Sequence, residues 1–218
     1  MHTVVNGLVL RSVDYRESDK ILTVLTDRMG LLTVSARGAR RKKSPLLPAV
    51  QLFCYSEMTL FEYGGRLRLD DAEPKEQFSG LSRDLDAMSL AAYFAEVLAT
   101  EAEGAPLQPD VLRLALNSLY ALSRGLSERW KIKAAFELRY AALSGYAPDE
   151  TTLRGALGER ALCCAQYILT CELRRILAFS LEGKCREELC GFCENYLLSR
   201  LERGFKTLDF YRSLGELL

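Results

Sequence analysis

The sequence predicts an α+β protein in two parts, a small five-stranded β-barrel over residues 1–72 and an all-helical domain over residues 73–218. Three observations predict it. Up to about Leu69 apolar and polar residues alternate, and β-branched and aromatic side chains crowd between turn signals, the habit of strands. After Asp70 the apolar spacing changes to three and four residues, the habit of helices. The charge changes there too. Residues 1–69 carry 11 Lys/Arg against 6 Asp/Glu, residues 70–110 carry 2 against 10, and residues 111–218 carry 16 against 13, so the formal net charge of zero conceals a basic module beside an acidic connector.

Five strands are expected. The first runs from about Val4 to Val13, the second from about Lys20 to Thr26, and the third from about Leu31 to Arg37 with Leu32, Val34 and Ala36 facing inward. Asp27-Arg28-Met29-Gly30 turns the chain between the second and third. A fourth spans about Val50 to Tyr63, with Leu52, Cys54, Met58 and Leu60 on one face and Phe53, Tyr55, Thr59 and Phe61 on the other. Gly64-Gly65 suits a two-residue hairpin, whose central positions need φ > 0, and Arg66 to Leu69 returns as the fifth strand. Five short antiparallel strands in so few residues favour a closed barrel of the OB-fold kind over an open sheet with bare edges.

Helices are expected at about Asp84–Glu103, Pro109–Ser123, Glu128–Ser144, Glu159–Phe179, with a possible break, and Arg186–Arg203. Pro109 suits a first turn, Ser127 is placed to cap the next helix, and Gly145 and Gly204 are suited to the left-handed residue that ends one.

At 218 residues and 49% hydrophobic content the chain has the material for real cores in two domains. No apolar run approaches the roughly 20 residues a membrane helix needs, and the first residues show no basic leader or cleavage site, so a cytoplasmic protein is expected. The seven cysteines are an odd number without a loop-rich framework, which argues against structural disulfides.

The strongest local signal is Arg37-Gly38-Ala39-Arg40-Arg41-Lys42-Lys43-Ser44-Pro45, with five positive charges and no acid, bounded by Gly38 and Pro45. It reads as an exposed, mobile loop between strands three and four, suited to phosphate contacts of little sequence discrimination. A charge run that merely keeps the protein soluble is the plainer alternative. Arg11, Arg16 and Lys20 add cations on the first two strands and their linker, and Tyr15, Phe53, Tyr55, Phe61 and Tyr63 supply aromatics, the pairing used by single-strand binders. Packing between strands is the commoner use of such tyrosines.

Cys185, Cys190 and Cys193 are a second constellation. Cys190-x-x-Cys193 has the spacing of a dithiol or of half a zinc knuckle, and all three match part of an iron–sulfur pattern. Neither is completed: no second close pair follows, Cys163 and Cys164 are adjacent in sequence, and the pair sits within an amphipathic helix that includes Leu189, Phe192, Tyr196 and Leu197. Core thiols are the expectation, with no metal and no cofactor. Nucleotide-cradling and nucleophile-elbow motifs are absent, the one histidine is His2, and the carboxylates lie mostly on helix faces beside Lys or Arg, as solvated faces do, so no enzyme is expected.

The run GLVLRSVDYRESDKILTVLTDRMGLLTVSARGARRKKS, with Tyr15-x-Glu17-x-Asp19 and Ala36-Arg37-Gly38, resembles the start of RecO, a bacterial recombination-mediator family. The stretches AAFELRYAALSGYAPD at 134–149 and SRLERGFKTLDFYRSL at 199–214 resemble the same family. The resemblance implies an OB-fold, a helical C-terminal domain, binding to single- and double-stranded DNA, and annealing of complementary strands. It also implies cooperation with RecR, contact with the C-terminal tail of single-strand-binding protein, and indirect service to RecA. Arg11, Arg16, Lys20, Arg37, Arg40, Arg41, Lys42 and Lys43 are the expected phosphate contacts, and Tyr15 the expected stacking residue. The tail should meet a cation beside an apolar pocket in the helical domain.

One departure stands out. Many members carry a four-cysteine zinc module soon after Gly-Tyr-x-Pro, whereas Gly145-Tyr146-Ala147-Pro148-Asp149 here runs directly into Glu150-Thr151-Thr152-Leu153, so zinc is not expected. Two rival classes stay open: a helical protein-interaction scaffold, and a redox or iron–sulfur protein using the cysteines.

Overall fold

A computed structural model describes residues 2–101 and 109–215. Five strands, β1 (His2–Tyr15), β2 (Asp19–Thr26), β3 (Leu31–Ala36), β4 (Tyr55–Tyr63) and β5 (Arg66–Glu76), form a closed barrel in the order β1-β2-β3-β5-β4. Closure depends on β1. Its first half pairs with β4, from His2 opposite Phe61 to Leu8 opposite Tyr55, and its second half pairs with β2, from Gly7 opposite Thr26 to Tyr15 opposite Asp19, with a shift of register between Val9 and Arg11. A strand that serves two partners must bend, and the extra residue supplies the bend.

Alternation puts Val5, Val9, Leu22, Val24, Leu32, Val34, Met58, Leu60 and Leu69 into one interior. The inward reading of Leu32, Val34 and Ala36 holds, and Gly64 and Gly65 both take positive φ in the β4–β5 turn. Three expectations change. The β3–β5 contact, Val34 with Leu67 and Ser35 with Arg68, is parallel, because a five-stranded ring closed in this order cannot be antiparallel throughout. β4 begins at Tyr55, since Phe53 has φ 62 and breaks the alternation, leaving Leu52 exposed and Phe53 buried. β5 runs on to Glu76 because its pairing with β4 is carried past shifts at Thr59/Leu60 and Tyr55/Ser56.

The chain divides into two compact units, Met1–Ser79 with Ala95–Leu112, and Gly80–Phe94 with Arg113–Leu218. The helices are α1 (Leu85–Leu98), α2 (Pro109–Arg124), α3 (Arg129–Leu143), α4 (Glu150–Ala156), α5 (Glu159–Thr170), α6 (Gly183–Leu201) and α7 (Lys206–Gly215). The expected extension of the first helix to Glu103 ends outside the described residues. α4 and α7 were not anticipated by periodicity. Ser127 caps nothing: the N-cap of α3 is Glu128, without a side-chain bond. Gly145 takes a left-handed φ as expected, but the left-handed residue after α6 is Glu202 rather than Gly204.

α5 stops at Thr170, well short of Phe179, and Arg139 of α3 is bound at its end. The guanidinium donates to the carbonyl oxygens of Ile168 (3.1 Å), Leu169 and Cys171 (2.7 Å), which a continuing helix would have bonded internally. α3 is buried on nearly every side, from Ile132 to Leu138 without interruption. Its i,i+4 pair Lys133 and Glu137 is therefore interior, contrary to the solvated-face reading of such carboxylates. Lys133 Nζ lies 2.6 Å from Glu137 Oε1 and 2.6 Å from Glu194 Oε2, the Tyr93 hydroxyl donates to Glu137 Oε1 at 2.9 Å, and Arg212 of α7 donates to Glu194 Oε1 at 2.5 Å. Burial pushes the Glu137 carboxyl up to about 7 against the pull of Lys133 and Tyr93.

Candidate nucleic-acid interface

On the outer face of the barrel, the β1–β2 turn and the β4–β5 turn rise on either side of a groove of about 1150 Å3. Its floor is made by residues that alternation turns away from the core: Ile21 on β2 and Thr33 and Ser35 on β3. Tyr15, Arg16 and Arg37 line one side, and Phe61, Tyr63, Arg66 and Arg68 the other.

Arginines and aromatic residues line both walls. Tyr63 stands opposite Arg66 and Phe61 opposite Arg68 in the β4–β5 register, and the Arg16 guanidinium lies 5.2 Å from the Tyr15 ring centre. Tyr15 is 46% exposed and Tyr63 78%, so both rings are open to a ligand. Arg68 makes a 3.5 Å pair with Asp70. Guanidinium groups among exposed aromatic rings are the chemistry that holds phosphates while bases stack.

Of the residues singled out in the sequence, Tyr15, Arg16 and Arg37 come together in this groove. Arg11 is exposed on β1 opposite Thr23, outside the groove lining. Lys20 and Arg40 both turn to Asp14, at 3.0 and 3.1 Å. Hydrogen bonding from Lys20, then its charge and that of Arg40, hold the Asp14 carboxyl below its ordinary range. Arg41, Lys42 and Lys43 stand exposed on the adjoining turn and do not line the groove. Among the five aromatics, Phe53 is withdrawn into the core and Tyr55 is half-buried outside the groove, whereas Tyr15, Phe61 and Tyr63 are lining residues.

Arg66 and Arg68 were missed. The signal was present: in a two-residue hairpin, Arg-x-Arg after Gly64-Gly65 must share a face with Phe61 and Tyr63.

The basic stretch is not a free excursion. Ala39, Leu46 and Val50 belong to the barrel core, the Gly38 amide donates to Asp19 Oδ1 (2.8 Å), and the Arg40 amide donates to the Ser18 carbonyl (2.9 Å).

In the helical unit, Cys193 is fully buried and Cys190 half-buried; burial raises both thiols, Cys190 to about 11, which works against thiolate chemistry. Among the described residues no three His, Cys, Asp or Glu side chains gather as metal ligands, and no helix is long and apolar enough to cross a membrane. After the Gly145-Tyr146-Ala147-Pro148 motif the chain enters α4 directly, with Asp149 accepting from the Thr152 amide at 2.7 Å.

A closed barrel of this strand order, with a basic and aromatic groove between its β1–β2 and β4–β5 turns and helices after it, defines an OB-fold protein with a helical C-terminal part. Its particular kind follows from comparison. The family described as Recombination protein O N terminal matches residues 1–78, and Recombination protein O C terminal matches residues 82–152. Proteins named DNA repair protein RecO from Acetivibrio thermocellus, Alkaliphilus metalliredigens and Desulforamulus reducens are 27%, 28% and 29% identical to it. The matches cover 97%, 95% and 94% of this chain and 97%, 98% and 92% of the relatives. The chain belongs to the RecO family.

Proposed function

We propose that this protein is a non-enzymatic recombination mediator that holds single- and double-stranded DNA along the barrel groove and lets base pairing, not protein contacts, choose partners during annealing. The observation that carries the reading is one groove lined by Arg16, Arg66 and Arg68 and by the rings of Tyr15, Phe61 and Tyr63, with the Arg16 guanidinium over the Tyr15 ring. Arg37 adds a fourth cation, and Arg41, Lys42 and Lys43 extend the positive surface beyond the rim. Such contacts read backbone and ring faces, so they tolerate any sequence. Membership of the family supports the further partners: RecR, the C-terminal tail of single-strand-binding protein, and RecA indirectly, in the cytoplasm. For the acidic tail, a hollow of about 400 Å3 in the helical unit sets Arg129 and Arg212 beside Trp130 and Tyr211, and the tail would have to compete with Asp84, Asp86, Glu194 and Asp209, which already pair with the two arginines.

The test is a salt titration of DNA affinity. Replacing Arg16, Arg37 and Arg66 by alanine should flatten the slope of log affinity against log salt by about 2 units on single strands, at roughly 0.7 per lost contact. The loss should be alike for unrelated sequences. Weak binding with no salt dependence in the parent protein would instead favour a protein-interaction scaffold.

A further inference from the structure

Two separate segments supply one wall of the groove: Tyr15 and Arg16 from the β1–β2 turn, and Arg37 from the end of β3. Arg16 has φ 54, a left-handed conformation that a residue with a Cβ adopts only when its surroundings hold it there. The surroundings are a set of bonds between the two turns. Arg40 lays its guanidinium across the first turn: one nitrogen is 3.1 Å from Asp14 Oδ2, and the other donates to the carbonyl oxygens of Arg16 (3.3 Å) and Glu17 (3.2 Å). Its amide donates to the Ser18 carbonyl at 2.9 Å, and the Gly38 amide donates to Asp19 Oδ1 at 2.8 Å. Asp14 also takes Lys20 at 3.0 Å, and Ala39, between the two amides, is fully buried in the barrel core. Apart from the Asp14–Lys20 pair, these bonds join segments at least 19 residues apart, and two of them end on Arg16 and Asp19, which themselves line the groove.

We propose that Asp14, Asp19 and Arg40 are positioning residues that fasten the β1–β2 turn to the turn after β3, so that Arg16 and Arg37 meet one strand as a preformed pair while Arg40 itself touches no phosphate. This rests on the groove being the DNA site. A guanidinium has the reach and the fork of donors for one carboxylate and two carbonyls at once; an ammonium has neither. Each cation ordered before binding is one not ordered during it, which raises affinity without adding a contact. The two acids of a basic surface thereby acquire a use that charge alone denies them.

The experiment uses the full chain and a fluorescein-labelled oligothymidylate, with affinity measured by anisotropy over a range of salt, and backbone amide exchange measured in the free protein. Arg40→Ala and Arg40→Lys should both weaken binding roughly three- to tenfold at every salt, the size expected for losing the ordering of one or two side chains, with the salt slope unchanged. Arg37→Ala should flatten the slope by roughly 0.7. Asp14→Ala removes a negative charge, yet it should weaken binding. In the parent the Gly38 and Arg40 amides should exchange slowly, and in Arg40→Lys quickly.

A slope flattened by Arg40→Ala and restored by Arg40→Lys would make Arg40 an ordinary phosphate contact and end the proposal. Tighter binding by Asp14→Ala, or parental Gly38 and Arg40 amides exchanging as fast as an open loop, would end it as well. Should Arg40→Ala or Asp14→Ala not fold, Arg40→Lys carries the decision, parental affinity in that variant counting against the clamp. An Arg37→Ala variant with parental slope, beside protected amides, would leave the clamp standing and remove the groove reading.

Discussion

Gly7 sits where β1 passes from one partner strand to the other, and a Cβ built there would lie 2.5 Å from Val24 Cγ1 and 3.3 Å from Met58 Sδ. Both neighbours are fully buried, and a valine in a strand has little rotamer freedom to yield. Gly7→Ala should therefore cost about 1–3 kcal/mol, as overpacked cores do, read as a lower midpoint in urea; an unchanged midpoint would show that the barrel seam is softer than its geometry. At the same scale the cysteines separate by burial. Cys163 is exposed and Cys193 is not, so a thiol-modifying disulfide reagent should label Cys163 promptly and Cys193 only after denaturant is added. Prompt labelling of Cys193 in the native protein would reopen the dithiol reading.

The elements of the helical unit are tied together through α3. Lys133 links Glu137 on α3 to Glu194 on α6, and Glu194 holds Arg212 of α7. Replacing Lys133 by methionine strands a buried carboxylate, and breaking a buried pair in this way costs about 3 kcal/mol or more. The sign with pH follows from the raised carboxyl. A group whose folded pKa is about 7 against 4.5 unfolded binds more protons when folded between those values, so its charge opposes folding increasingly as pH rises through that window. Without Lys133 the carboxyl rises further. The deficit of Lys133→Met should then be smallest near pH 5 and grow toward pH 8, measured as the difference in unfolding midpoint from the parent; a deficit independent of pH would mean that Glu137 is not the group left exposed to burial. Arg139 of α3, bound to the carbonyls of Ile168, Leu169 and Cys171, ties α3 to the end of α5.

For the whole molecule, the charge that cancels in the total is divided in space. Arg41, Lys42 and Lys43 stand exposed beside the groove, where their field attracts a polyanion without closing on it. Alanine at all three should slow association with DNA and weaken the salt dependence of that rate, while dissociation stays close to parental. Alanine at Arg16, Arg37 and Arg66 should speed dissociation. Stopped-flow measurement of both rates separates them, and a turn variant that changes dissociation alone would place those three cations in the bound complex.

The strand and helix grammar was legible over most of residues 4–69 and in α1, α2, α3, α5 and α6, because alternation and helical spacing are local periods, written in neighbouring residues. The inward set Leu32, Val34 and Ala36, the Gly64-Gly65 turn, the start of α2 at Pro109 and the basic tract at Arg37–Lys43 were all available in that way. Long-range geometry was not. Nothing local says that Asp14 takes both Lys20 and Arg40, that the hairpin arginines Arg66 and Arg68 join Arg16 over the barrel, or that α3 is enclosed so that Lys133 and Glu137 become interior. A charge run shows that cations are near one another along the chain; which of them meet a ligand, and which are consumed by acids of the same fold, depends on ring closure and on the packing of segments distant in sequence, and those are decided only when the barrel is shut.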